Sequence, residues 1–543
     1  MTTAATAPQQ RSMLPVHRLR ARPDAWTLAP SLFAVVNATA FFLIRPDVND
    51  LWAARARASA VSHGVGLTYW FSWFGGGSTP GNYSVLTPYV SAALGTELVG
   101  ALSAVAVTVL ITVAVRGTRY PGQAAAVGAL AVGLNLWSGR VPFLLGAAFA
   151  IGVLIAVRRR STSAAVGLTM LSILASPVSG AFVALALSGS FLTTGTKRYR
   201  AVIAWTTATV ILALVTVGLI FGTPRPEPFS TTLLIKVLLA LGLLLASGPR
   251  SHLRTTIWIS ALVAIVLFTI PNGLGSNFGR FVWFCLPVAA VALSRRRVLI
   301  PLLCVTPLLY LGGEQTWTDL RHASAPVSSV SYYTPLVDRL DGIPELRNYR
   351  VEVVDHGAHT GYDALLGHAM LARGWETQDD KALNRSLDRR SLDPVTYKVW
   401  LDNNAVGYVA LPLGSVAGNG EYTLVESGTA PYLHRIWSSN DWQLFRVGNP
   451  TPIVARPASV LAHDQKSMTI DVPCACTIGV RLRWSKFLTA TRQEPDPSGT
   501  GTVDGTPRVH AAIENDGSGW STLTTSRPGT YVLRGSLRGG LRR

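Results

Sequence analysis

Charge is scarce in this chain. Asp, Glu, Lys and Arg together make up 14% of 543 residues, whereas a soluble domain carries about 25%. That shortage excludes an ordinary soluble protein for much of the length. Lysine is rarer still, so arginine supplies nearly all of the net charge of +19. The arginines sit in short clusters between apolar runs rather than along a soluble face, which excludes nucleic-acid binding as the reason for the basicity. Cysteine is limited to four residues, two of them in apolar runs (Cys285 and Cys304) and two forming Cys474-Ala475-Cys476. A structural metal site needs two such pairs. The expectation is therefore two thiols on one face of a strand, with a disulfide as the alternative. Walker loops, HExxH, GxSxG and paired CxxC motifs are all absent.

Long hydrophobic runs are abundant. The first, Trp26–Ile44, is long enough to span a bilayer. It is followed by Arg45-Pro46-Asp47 rather than a small-residue cleavage site, so it is expected to be an uncleaved anchor. Further candidate spans fall near 97–115, 121–138, 141–157, 162–176, 178–194, 201–221, 230–247, 255–270, 281–294 and 298–312. Basic clusters occupy every second connection: Arg18/Arg20/Arg22, Arg116/Arg119, Arg158–Arg160, Lys197/Arg198/Arg200, Arg250/Arg254 and Arg295–Arg297. Positive charge marks the cytoplasmic side. The pattern predicts an α-helical polytopic membrane protein with about eleven transmembrane helices, its N-terminus cytoplasmic and its C-terminal half extracytoplasmic, in the plasma membrane.

The expected organisation is a cytoplasmic tail at 1–25 and a transmembrane domain at 26–312 with a large first outer loop at 45–96. A linker follows at 313–345. Beyond it are a mixed α/β unit at 346–435 and a β-sandwich-like module at 436–543, recognised by short alternating strands between turn-rich segments.

The first outer loop is unusually rich. It carries Asp47 and Asp50, Arg45, Arg55 and Arg57, then Tyr69, Trp70, Phe71, Trp73 and Phe74, and a glycine run at 75–77. Residues 51–62 read as a short helix lying along the membrane surface. A carboxylate there can deprotonate an acceptor hydroxyl or hold a divalent cation against a phosphate, and neither use is fixed by the sequence. Arginines offer planar donors matched to phosphate. Tyr69, Trp70 and Trp73 are candidate sugar-facing rings, the competing reading being an interfacial aromatic belt. Arg140 and Arg280 lie in other outer connections, and Lys236 lies inside a span, where a charge usually faces a polar cavity. His356 and His359 beside Asp355 are a weaker metal candidate. Trp375-Glu376 with Asp379-Asp380 reads as a sugar contact or as a solvated helix end.

An acid directly after the first span, a surface helix, an aromatic-Gly-Gly segment and the Tyr83-Ser-x-Leu-x-Pro88 return together resemble the GT-C superfamily. These are multi-pass glycosyltransferases that use polyprenyl-phosphate sugars. The segments YYTPLVDRL, ARGWETQ and GYVALP also resemble parts of bacterial membrane proteins grouped loosely with them. The resemblance implies transfer of a sugar to a cell-envelope glycan or lipid on the outer face. It implies membrane lipids and the lipid-linked donor as partners, and a catalytic acid at Asp50 or Asp47. Asp50 is favoured because it opens the surface helix. Many such enzymes carry their acids as a close pair. Here Val48 and Asn49 stand between them, which leaves the base and any metal open. Two other functions fit the same sequence: a transporter or flippase of a lipid-linked or anionic solute, and a non-catalytic envelope scaffold.

Overall fold

The computed structural model describes residues 25–74, 79–354, 360–374, 376–387, 391–414, 420–493 and 510–541. The basic tail, the glycine run at 75–77, His356, His359 and Trp375 lie outside the described residues.

Every one of the eleven apolar runs is helical. In chain order the helices are α1 (Ala25–Ile44), α2 (Asn49–Ser62), α3 (Thr87–Leu94), α4 (Thr96–Ala114), α5 (Pro121–Trp137), α6 (Val141–Arg158), α7 (Thr162–Ala175), α8 (Pro177–Thr193), α9 (Lys197–Phe221), α10 (Thr231–Ala246) and α11 (Ser251–Thr269). The next run is broken into α12 (Phe278–Arg280), a π-helical turn at Phe281–Cys285 and α13 (Leu286–Ala292), before α14 (Leu299–Ala323). Among the described residues α4, α6, α9 and α11 are each long and apolar enough to cross a membrane, and α1 with α2 passes as a pair bent by 70°. Helices α7, α8 and α10 are apolar but shorter. Large apolar side chains point outward, including Leu212, Leu219, Leu239, Leu262 and Leu303. So wide an exposed apolar surface is stable only against lipid or protein.

The two ends of the helical bundle differ. At one end the basic connections bond to one another: Arg158 donates to the carbonyls of Ala114 (2.7 Å) and Arg116 (3.1 Å). Arg119 donates to the Arg295 carbonyl (2.6 Å), and Tyr120 to that of Arg296 (2.9 Å). At the other end the bundle carries the C-terminal half.

That half begins earlier than the polarity of the sequence indicates. Helix α14 continues past its apolar run to Ala323, and α15 (Thr334–Asp341) buries Leu336 and Leu340, so the expected linker is largely folded structure. A four-stranded sheet follows, with β1 (Arg350–Val353) parallel to β2 (Val406–Pro412). Antiparallel β4 (Trp442–Val447) and β3 (Leu433–Ser438) complete it in the order β1-β2-β4-β3. Because β4 pairs with β2, the mixed unit extends to Val447 rather than ending at 435. Its helices are α16 (Thr360–Ala364), α17 (Thr377–Leu383), α18 (Pro394–Asn403) and α19 (Gly420–Glu426). Among the described residues the β-rich module has seven strands: β5 (Ser459–His463), β6 (Ser467–Val472), β7 (Thr477–Arg483), β8 (Leu488–Arg492), β9 (His510–Asn515), β10 (Trp520–Thr524) and β11 (Gly529–Gly535). Their order is β5-β6-β11-β8-β9-β10-β7. Cys474 and Cys476, expected as thiols on a strand, lie in the turn between β6 and β7 and form a disulfide.

Helix α2 is not an open surface helix. Leu51 and Ala54 belong to the core of the helical bundle, while Ala53, Ala56 and Ala60 belong to the core of the mixed unit. Small residues on two faces let it lie as a thin layer between them. The aromatic cluster after it divides in the same way. Trp70, Trp73 and Phe74 pack with Leu336, Tyr362, Tyr408 and Trp442 of the mixed unit. Tyr69 and Phe71 pack with Ile470, Leu482 and Leu533 of the β-rich module.

Candidate functional site

Helix α1 ends at Ile44, and the chain turns into α2 through Arg45, whose φ is 50°. Helix α2 then starts at Asn49, with Asp50 in its first turn. The turn between α5 and α6 packs directly against this point. Gly139 there has φ of 74°, and a Cβ added to it would lie 2.6 Å from the Leu51 backbone nitrogen. Only glycine tolerates both the conformation and the contact. The close approach sets Arg140 Nε 3.2 Å from Asp50 Oδ2. From the broken helix, Arg280 Nη2 lies 3.6 Å from the same oxygen, and its guanidinium sits 5.8 Å from the Phe143 ring centre.

Arg140 also reaches Asp319 on the extended end of α14, with Nη2 3.6 Å from Oδ2. Gln315 donates to the other oxygen of Asp319 at 2.9 Å. One helical turn below, Lys236 Nζ of α10 lies 3.7 Å from Glu314 Oε2. Glu227, on the proline-rich connection after α9, accepts from Ser276 Oγ at 2.6 Å and from Gln378 of the mixed unit at 2.7 Å.

These groups border one cavity of about 850 Å³ between the helical bundle and the mixed unit. Asp50, Arg140, Lys236 and Arg280 all line it, with Glu227, Glu314, Asp319, Trp283, Arg373 and Asp380. Helix α17 forms part of its roof and is tied down by Arg225 to Asp379 (2.9 Å) and by Arg57 to Glu376. Arg373 is itself clamped, with Nε and Nη2 on Asp380 at 2.8 and 2.6 Å and Nη1 near Glu421 (3.2 Å) and Glu352 (3.4 Å). Glu352 and Glu421 are wholly buried. Burial, then the negative charge of Glu421, pushes the Glu352 carboxyl well above the ordinary range.

The other expected site residues are placed elsewhere. Asp47 pairs with Arg55 (3.2 Å), and Arg55 also binds Glu97 (2.7 Å) while lying over the Trp52 ring. Arg55 is thus matched by two carboxylates outside the cavity. Arg45 is exposed and donates to the Phe42 carbonyl at 3.3 Å. Arg57 is buried on Pro80 O (3.0 Å), on Glu376 and over the Tyr83 ring, where it holds the roof rather than lining the site. Tyr69, Trp70 and Trp73 are fully enclosed. Trp70 and Trp73 stack at 4.6 Å, and Tyr69 donates to the Arg483 carbonyl at 2.8 Å. Their apolar area goes to joining the C-terminal half to the bundle, not to a sugar.

Asp47 and Asp50 therefore do not form a paired acidic site, and among the described residues no group of three or more His, Cys, Asp or Glu is placed to hold a metal ion. Asp319, Glu314, Glu227 and Arg373 are the site residues that sequence reasoning missed. Leu311, Gln315, Thr318, Asp319 and His322 share one helical face, a signal the sequence did contain.

No protein-family model matches the chain, and no curated protein matches it. Among solved structures it is similar to the oligosaccharyltransferase of Archaeoglobus fulgidus, at 11% identity and a TM-score of 0.46, over 79% of this chain and 76% of that one. It is also similar to the arabinosyltransferase EmbB of Mycobacterium smegmatis, at 11% identity and a TM-score of 0.35, over 96% of this chain and 64% of that one. Both are transferases by name. At these scores the likeness carries no argument about chemistry, which rests on the side chains in the cavity.

Proposed function

We propose that this chain is a membrane glycosyltransferase. It moves a sugar from a polyprenyl-phosphate donor to a glycan or lipid of the cell envelope. The observation that carries the reading is the Asp50 carboxylate, shared by Arg140 and Arg280 at the wall of the cavity. In the reaction the acceptor hydroxyl oxygen forms a bond to the anomeric carbon and its proton passes to Asp50. The bond from that carbon to the phosphate oxygen breaks, and its electron pair leaves with the polyprenyl phosphate. Arg140, Arg280 and Lys236 meet the added negative charge, an electrostatic contribution made where charge develops. Attack from the face opposite the phosphate inverts the anomeric centre.

The mixed unit roofs the cavity through Arg373, Gly374, Asp380 and Lys381, so the acceptor enters between bundle and roof while the donor lipid lies among the helices. Topology supports the same arrangement. The basic connections gather at the end of the bundle away from this cavity, and basic loops mark the cytoplasmic side. The N-terminus is then cytoplasmic, and the cavity and C-terminal half face outward.

The test is transfer by the purified protein in lipid, using radiolabelled polyprenyl-phosphate sugars and isolated envelope fractions. Formation of a new glycosidic bond is the expected result. Movement of the lipid-linked sugar between leaflets without such a bond would replace this reading with that of a flippase.

A further inference from the structure

A second cavity, of about 900 Å³, lies away from Asp50, between the mixed unit and the β-rich module. Its volume is that of a small-ligand site. Residues at the end of α18, the segment 450–456, and strands β7 and β10 surround it. Arginine dominates its charge: Arg456, Arg481 and Arg483 line it against a single carboxylate, Asp516. Arg350, wholly buried on β1, adds a further guanidinium beneath, donating to the carbonyls of Asn404 (2.8 Å) and Arg481.

The partners of the lining arginines are neutral. Arg481 donates to the Asn403 carbonyl at 3.0 Å. Arg483 donates to the Phe74 carbonyl at 2.7 Å and to Asn404 Oδ1 at 3.2 Å. Among the described residues neither makes an ion pair with a carboxylate. Guanidiniums gathered in a buried wall are costly to desolvate. Burial accordingly lowers Arg350 to about 9 and Arg483 to about 10. The Trp520 ring lies 4.6 Å from the Arg483 guanidinium and forms one wall. Ser518, beside Asp516, adds a hydroxyl to the same wall.

We propose that this cleft binds an anionic saccharide, one bearing carboxylate or phosphate. The guanidiniums match the acid. The Asn403 amide, the Ser518 hydroxyl and the Trp520 ring match a polyhydroxylated chain. The site stands apart from the catalytic cavity, and its occupancy does not depend on the transferase reading.

The test is calorimetric titration of the full chain in nanodiscs with tetragalacturonate, mannose 6-phosphate and neutral maltotetraose. At least one acidic probe binds, and maltotetraose binds at least about tenfold more weakly, the scale set by charge-assisted hydrogen bonds. Which acidic probe is preferred identifies the acid. Arg481→Gln weakens the acidic probe by about tenfold on the same grounds. Arg456→Gln, on the wall segment 450–456, weakens it severalfold as well. Asp50→Asn leaves the binding unchanged. Equal affinity for the neutral probe, no binding of any probe, or binding unaltered in both cleft variants would overturn the proposal.

Discussion

Asp50 Oδ2 lies 3.2 Å from Arg140 Nε, though Asp50 opens α2 and Arg140 lies in the α5–α6 turn, with three helices of the chain between them. The contact depends on Gly139, which precedes Arg140 and packs against Leu51, the residue after Asp50. Its positive φ and its 2.6 Å clearance to the Leu51 nitrogen leave no room for a side chain. Gly139→Ala is expected to push the α5–α6 turn from α2 and to lower transfer at least about tenfold, since sub-ångström misplacement at a reacting centre is amplified in rate. Transfer assays together with unchanged expression in the membrane fraction check this.

In the proposed reaction Arg140 and Arg280 meet the donor phosphate. Arg140→Lys keeps the charge but loses the planar fork, so kcat/KM for the lipid donor falls by about tenfold to a hundredfold, the scale of lost charge-assisted hydrogen bonds. Steady-state kinetics with varied donor lipid measures the change.

Trp73 is held in the core of the mixed unit, stacked on Trp70 and edge-on to Phe74 and Tyr362. Trp73→Ala is expected to cost about 3–5 kcal/mol. The loss falls on the seam between bundle and outer region. Limited proteolysis therefore cuts near 324–333 sooner in the variant, while the apolar helices stay protected.

Burial raises the Asp363 carboxyl from its ordinary 3.8 to about 6. The folded state thus holds the proton more tightly than the unfolded state. Its stabilising contribution is complete below about pH 4 and is lost as pH rises through about 6. Melting curves between pH 4.5 and 7.5 should show the wild type losing more stability across that window than Asp363→Asn, which carries no titrating group there.

The cavity was legible in part because lone charges among apolar runs are expensive. That cost singled out Arg140, Lys236 and Arg280, and the position just after the first span singled out Asp50. Asp319 escaped because polarity marks where lipid ends, not where a helix ends. Helix α14 runs on through Glu314 and Asp319 to Ala323. The aromatic cluster was misjudged for a different reason. Trp70 and Trp73 find their partners in Tyr362, Tyr408 and Trp442, hundreds of residues onward, and no local pattern reports so distant a burial. Asp47 was the less favoured of the two acids, and Arg55, bridging it to Glu97, holds it in a separate ion-pair network. The helices themselves were the most legible part, since each apolar run carries its own signal.

The most direct test compares Asp50→Asn with Asp47→Asn, both measured for sugar transfer from polyprenyl phosphate after their folding is confirmed by melting temperature. Asp50→Asn is predicted to lose about 10²–10⁴-fold in kcat, the scale of a lost general base, and Asp47→Asn to stay within about tenfold of wild type. Transfer retained by Asp50→Asn, or abolished by Asp47→Asn alone, would contradict the account.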